Sequence, residues 1–373
     1  MVWSTSWRRR RCCPARWGPS LAPSEQRRVT GARRRRRRGA RSLGHAAEGS
    51  EGLLSQWLSI PVAVLLVVTL GSSAAVWGWI VARWRRGQPI VAFQGRTPVP
   101  WRAPDVAAVA LSYGLFSVLV PHVDQQLGLV NRFVAWHGEH GGQRGGVEGD
   151  DQDEWSQAAH PVVVLLRQRR EAGLFVFCLV VAAVVVPVTE EVLFRLVLQG
   201  WLESAERRLR RTIPAARRVV PGTWAVVSTS FIFAALHYRG MPPEADPLEL
   251  LRLLVYVGVV DLCVVAVAVA WLRGPAGATA ADLGWSGRQL WADVQLGMAA
   301  FLAVVAPVYG IQIALRLCLP HSPIVDPISL FLFALVLGTL YYRTHRIVPS
   351  IVTHVAFNGF SLTLLRLGLA PLG

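Results

Sequence analysis

The chain has 373 residues, 53% of them hydrophobic, and a mean hydropathy of +0.38. A soluble domain of this size must show water a polar surface, and here the apolar residues are gathered in long runs, which excludes a single soluble globular domain. The formal charge of +16 is uneven: every basic residue is arginine, residues 1–41 hold fourteen of the 39 against one acid, Glu25, and so carry +13, which leaves +3 for the rest.

Residues 1–50 are rich in Arg, Ser, Pro and Gly, with runs at Arg8–Arg11 and Arg33–Arg38. Such a stretch cannot bury enough apolar surface to fold, so a disordered tail is expected, or translated sequence upstream of the true start. Arginine runs attract phosphate, so lipid headgroups or a nucleic acid are ligands that the tail allows. Nucleic-acid binding is not expected of the protein as a whole. Cys12 and Cys13 lack partners at zinc-site spacing, while Cys178, Cys263 and Cys318 lie in apolar runs, where cysteine behaves as a small hydrophobe. No disulfide framework and no cysteine metal site is expected.

A bilayer core needs roughly 20 apolar residues per helix. Candidates follow at Trp57–Ala82, Val106–Val120, Gly173–Gly200, Val219–His237, Leu250–Leu272, Val294–Leu319, Ile328–Tyr342 and Ile347–Leu369. The expected fold is therefore all-α, a polytopic transmembrane bundle of about eight helices, the second and seventh being short. Residues 51–171 supply the N-terminal spans and a polar loop rich in Gly and acid, Gly138–Glu154. The short basic stretches Arg83–Arg86, Arg207–Arg218 and Arg343–Arg346 belong on the cytoplasmic side. Alternating spans would then put the N-terminus outside, which suits an Arg-rich tail poorly unless one short segment does not cross or the tail is absent from the mature protein.

Chemistry concentrates in Pro187-Val188-Thr189-Glu190-Glu191-Val192-Leu193-Phe194-Arg195, where two adjacent carboxylates end an apolar run. Ionisable groups in a membrane segment are costly and face protein or a wet cavity. Glu191 and Arg195 are four apart on a helix and can pair, whereas Glu190 points about 100° away without that partner. A carboxylate so placed suits a general base. Pro187 removes the hydrogen bond to the Ala183 carbonyl and can kink the helix. Taken alone, these residues could equally form surface pairs at an interfacial helix end. Phe233-Ala234-Ala235-Leu236-His237 closes another apolar run with a histidine. In His354-Val355-Ala356-Phe357-Asn358, the imidazole and the amide share one helix face. Together an acid, two histidines and an asparagine from three segments suffice for water-mediated amide hydrolysis.

In this order, Glu190-Glu191…Arg195, Phe233…His237 and His354…Asn358 resemble the motifs of the CPBP family, the CAAX prenyl protease 2, Abi and bacteriocin-processing proteins. Leu337–Thr344 and Ile347–Val352 resemble its lead-in to the last motif. The resemblance covers residues ~172–240 and ~326–362, within a core of 172–362, and leaves about 241–325 as an apparent insertion with two further spans. It implies an intramembrane endopeptidase, a hydrolase in which Glu190 activates water with His237. His354 and Asn358 would stabilise the oxyanion, and Glu191, Arg195 and Phe233 would support them. His237, His354 and Glu190 are also a donor set for zinc, although the glutamate mechanism requires no cofactor. His137-Gly138-Glu139-His140 is a zincin look-alike without the spacing, placed in a Gly-rich loop. The implied partners are the bilayer and a membrane-associated protein or peptide substrate. The absence of lysine suggests a GC-rich, bacterial source and hence an inner (cytoplasmic) membrane. The alternative is a non-catalytic membrane scaffold or bacteriocin-immunity factor of the same fold. A proton or ion path is disfavoured because no inverted repeat is visible.

Overall fold

Lipid offers backbone N–H and C=O groups no water to bond, so a spanning chain satisfies them within helices. The computed structural model describes residues 63–95, 98–140, 162, 165–166, 171–238, 247–319, 322 and 324–367, and among them there is no strand. The chain divides into two units, Met1–Pro61 and Val62–Gly373, and everything described lies in the second. The Arg-rich tail with Cys12 and Cys13, and the acidic part of the Gly138–Glu154 loop, lie outside the described residues.

In chain order the helices are α1 (Ala63–Arg85), α2 (Ala103–Leu127), α3 (Leu129–His140), α4 (Ala172–Thr212), α5 (Thr223–Leu236), α6 (Pro247–Arg273), α7 (Leu290–Cys318), α8 (Val325–Thr344) and α9 (Ile347–Arg366). Seven of the described helices are long and apolar enough to cross a membrane, and the chain is an integral membrane protein. The segments expected to be short are not: α2 has 25 residues and α8 has 20. The short one is α5, with 14 residues. It stops at His237, where the chain leaves the helix. His137–His140 closes helix α3 rather than lying in a loop, since its single glycine does not break the turn.

The basic stretches gather at one end of the bundle. The Gln94 N–H donates to the Arg343 carbonyl at 2.8 Å, and the Val99 N–H donates to Ser204 Oγ at 3.2 Å. Glu206 accepts from the Gly222 N–H at 2.8 Å. Trp271 Nε1 donates to Asp105 at 3.1 Å, and Arg346 reaches Gln289 at 2.8 Å and pairs with Asp293. The C-terminal ends of α1, α4, α6 and α8 thus meet the N-terminal ends of α2, α5, α7 and α9, so successive spans run antiparallel.

Three buried clusters frame the middle of α4. Trp101, Leu196, Leu272 and Tyr341 lie toward the basic end. Leu174, Cys178, Leu251 and Leu362 lie toward the other. Phe301, Val304, Phe333 and Phe357 fill the side where α7, α8 and α9 meet. Helices α7 and α9 touch almost backbone to backbone. A Cβ on Gly297 would sit 2.7 Å from Val352 Cβ and 2.8 Å from the Pro349 carbonyl, and Thr353 Oγ1 donates to the Gly297 carbonyl at 3.0 Å. Gly297→Ala must push the helices apart at the residue before His354. It is expected to cost about 1–3 kcal/mol, read as a lower melting temperature in detergent. An unchanged melt would contradict the close approach.

Candidate active site

The local backbone of α4 is unusual. It is α-helical over Ala172–Val180, opens into a π-helix over Val181–Val185, returns to α over Val186–Glu190, and is π again over Glu191–Gln199. Pro187 accounts for the first opening. The Val186 N–H bonds the Val181 carbonyl, five residues back, so Ala182 loses its usual donor. The next residue in π register is Pro187, which has no N–H to offer. The orphaned carbonyl is therefore that of Ala182 and not of Ala183, as a regular α-helix would have it. Asn358 Nδ2 supplies the missing donor at 3.1 Å. A proline on α4 and an asparagine on α9 thus solve one problem between them.

The two carboxylates that follow face different surroundings. Glu191 is fully buried, with Oε1 3.0 Å from His354 Nδ1 and Oε2 3.4 Å from Arg195 Nε. Arg195, equally buried, lies with its guanidinium 5.6 Å from the centre of the Phe233 ring. Glu190 is 17% exposed and stands between two imidazoles, 3.2 Å from His237 Nε2 and 3.5 Å from His354 Nε2. Its side chain is therefore not partnerless, as expected from α4 alone; its partners come from α5 and α9. His237 is the most open member, at 31%. Its short helix brings it there, and Phe233 packs against its ring at 4.3 Å. Phe333 meets the edge of His354 at 5.2 Å.

Hydrogen-bond roles follow from the partners. His237 Nδ1 lies 2.8 Å from the Phe233 carbonyl, which can only accept, so Nδ1 carries a hydrogen. His354 Nδ1 faces the Arg-paired carboxylate of Glu191 and carries one too. Both Nε2 atoms then point at Glu190. Glu190 is thus the common neighbour of both imidazoles, closer to His237 than to His354. The site lies about 10 Å along α9 from its basic end, at 1.5 Å per residue to His354.

A family model described as type II CAAX prenyl endopeptidase, Rce1-like, matches residues 172–360, just over half of the chain. The chain belongs to this Rce1-like family. No curated protein and no solved structure matches it. At family level this Rce1-like protein is a CAAX-protease-type intramembrane endopeptidase, and the matched residues contain every side chain of the site around Glu190.

Sequence reading missed Asp261. It is buried on α6, within electrostatic reach of Glu190. The signal was available, because a lone acid in the apolar stretch Leu253–Trp271 invites the same reasoning that singled out Glu190. His237, His354 and Glu190 are zinc-type donors, yet among the described residues no group of three or more His, Cys, Asp or Glu is disposed to hold a metal ion. The carboxylate oxygens of Glu190 lie against the imidazole nitrogens instead.

Asn358→Ala leaves the half-buried Ala182 carbonyl unpaired at a cost of about 1–3 kcal/mol. Pro187→Ala restores a backbone donor in register, so the double variant is expected to recover most of that loss in thermal unfolding. A double variant no more stable than Asn358→Ala would refute the pairing.

Proposed function

We propose that this Rce1-like protein hydrolyses a peptide bond of a membrane-associated protein or peptide with water activated by Glu190. The observation that carries the reading is the placement of Glu190 between the Nε2 atoms of His237 and His354, on the open side of the cluster. Water bound at Glu190 gives up a proton to the carboxylate as its oxygen adds to the scissile carbonyl carbon. The carbonyl electrons move onto oxygen, and the oxyanion is met by an imidazole N–H and by the second N–H of Asn358, whose first is engaged by Ala182. Collapse re-forms the carbonyl and breaks the C–N bond, while the Glu190–His237 unit returns the proton to the departing nitrogen. The products are a carboxylate and an amine.

In this reading Glu191 and Arg195 serve from behind. Their pair fixes which nitrogen of His354 bears hydrogen and holds the ring edge toward Glu190. Phe233 backs the His237 ring. The glutamate mechanism requires no metal, while Glu190, His237 and His354 are also a donor set for zinc. The chain would lie in the inner membrane of a bacterium, where substrates other than prenylated CAAX tails are the expected class.

Glu190→Gln keeps the shape and removes the base. It should lower cleavage by about 10²–10⁴-fold, the usual worth of general base catalysis, with little change in the melt. The cleaved protein is found by comparing membrane proteomes of a deletion strain and wild type. Wild-type cleavage by purified Glu190→Gln would refute the mechanism. Dialysis against a strong chelator should leave the rate of the purified protein unchanged. Loss of activity that returns with stoichiometric zinc would show that the histidines serve a metal instead.

A further inference from the structure

Glu191, Arg195, Gln199 and Glu203 recur every four residues along α4 and are all buried. They form a polar ladder from the candidate site to the basic end of the bundle. The top rungs are well bonded. Gln199 Nε2 donates to Glu203 Oε1 at 3.1 Å and to the Gly338 carbonyl at 2.8 Å. Glu203 Oε2 meets His345 Nε2 at 3.1 Å, and His345 Nδ1 reaches the Gln94 carbonyl at 2.7 Å.

The lower rungs are not. Beyond the ion pair with Glu191, none of the Arg195 guanidinium nitrogens has a hydrogen-bond partner among the described residues, and neither does Gln199 Oε1 or Ser230 Oγ. All three side chains are fully buried. The four N–H donors that this pair leaves over cannot stay unpaired in apolar surroundings without a large desolvation cost.

The orphaned groups are neighbours. Arg195 and Gln199 are one turn apart on α4. Arg195 lies over Phe233, and Ser230 is one turn from Phe233 on α5. A Cβ on Gly338 would stand 3.1 Å from Gln199 Oε1, 3.1 Å from Val226 Cγ1 and 3.7 Å from Ser230 Oγ, so both oxygens lie beside Val226 on the side of α8 where this glycine carries no side chain.

We infer that Arg195, Gln199, Ser230 and Gly338 bound a buried water site, in which water accepts from the Arg195 guanidinium and donates to Gln199 Oε1 and Ser230 Oγ. Such water meets the rule that buried polar groups find partners, and it has the several polar contacts that an internal water needs. It anchors Arg195 from the side opposite Glu191. Gln199 and Ser230 are thereby positioning residues that act through Arg195, Glu191 and His354; this second half rests on the proposed hydrolytic reading.

The first test is a density map of the full chain in nanodiscs at a resolution that shows ordered solvent. The expected result is a solvent peak within hydrogen-bond distance of Arg195 and of Gln199 Oε1 or Ser230 Oγ. Direct bonds between these side chains, with no peak, would overturn the site whatever the enzyme does. The second test is kinetic. Ser230→Ala and Gln199→Leu should lower kcat by about tenfold to a hundredfold, leave KM nearly unchanged and shift the pH–rate profile, while Ser230→Thr keeps the hydroxyl and restores both. Variants with a lower melting temperature but the wild-type pH profile would reduce these residues to packing and overturn the positioning role. Loss of the solvent peak in Ser230→Ala with activity intact would do the same.

Discussion

A fully charged guanidinium held out of water among apolar helices needs a carboxylate, and the Arg195–Glu191 pair is the contact on which the rest of this site depends. Breaking either half would leave an unpaired charge buried in the bundle, a penalty of several kcal/mol. The pair cannot be judged by its own attraction, because desolvation consumes much of that gain. Its value lies in what Glu191 does with its second oxygen. Bonded to His354 Nδ1, it ties α4 to α9 and turns the far nitrogen of that ring toward Glu190.

Two neighbouring acids thus acquire opposite characters from their places on one turn. Glu191 points inward and is wholly enclosed, a fixed counter-charge. Glu190 points to the opening and stands between two imidazoles. The asymmetry comes from helix geometry, since consecutive side chains diverge by about 100°. It is sharpened by α5, which ends early enough to put His237 at the depth of Glu190 rather than at a headgroup.

Much of this was legible in the amino-acid order. Charged residues within apolar runs stand out because a membrane tolerates them only for a reason, and the four-residue spacings of Glu191 with Arg195 and His354 with Asn358 place each pair on one face. What could not be read lies in backbone register and in length. Nothing local says that Pro187 will open a π turn and free the Ala182 carbonyl, because the choice depends on Asn358 arriving from α9. The end of α5 at His237 was legible, but its start was not: the first residues of Val219–His237 turn out to be the corner that leads into the helix at Thr223. Asp261 was overlooked because it sits alone, and a solitary polar residue acquires meaning only when a second helix brings it a neighbour; Gln199 was overlooked although it continues the four-residue spacing of Glu191 and Arg195.

Water bound at Glu190 that attacks the peptide carbonyl itself leaves its mark in a single turnover in ¹⁸O-labelled water: one labelled oxygen is expected in the new carboxylate of the product and none in the Glu190 side chain. Label recovered in the Glu190 carboxyl would mean that this residue had bonded to the substrate as a nucleophile, which would contradict its assignment as the base.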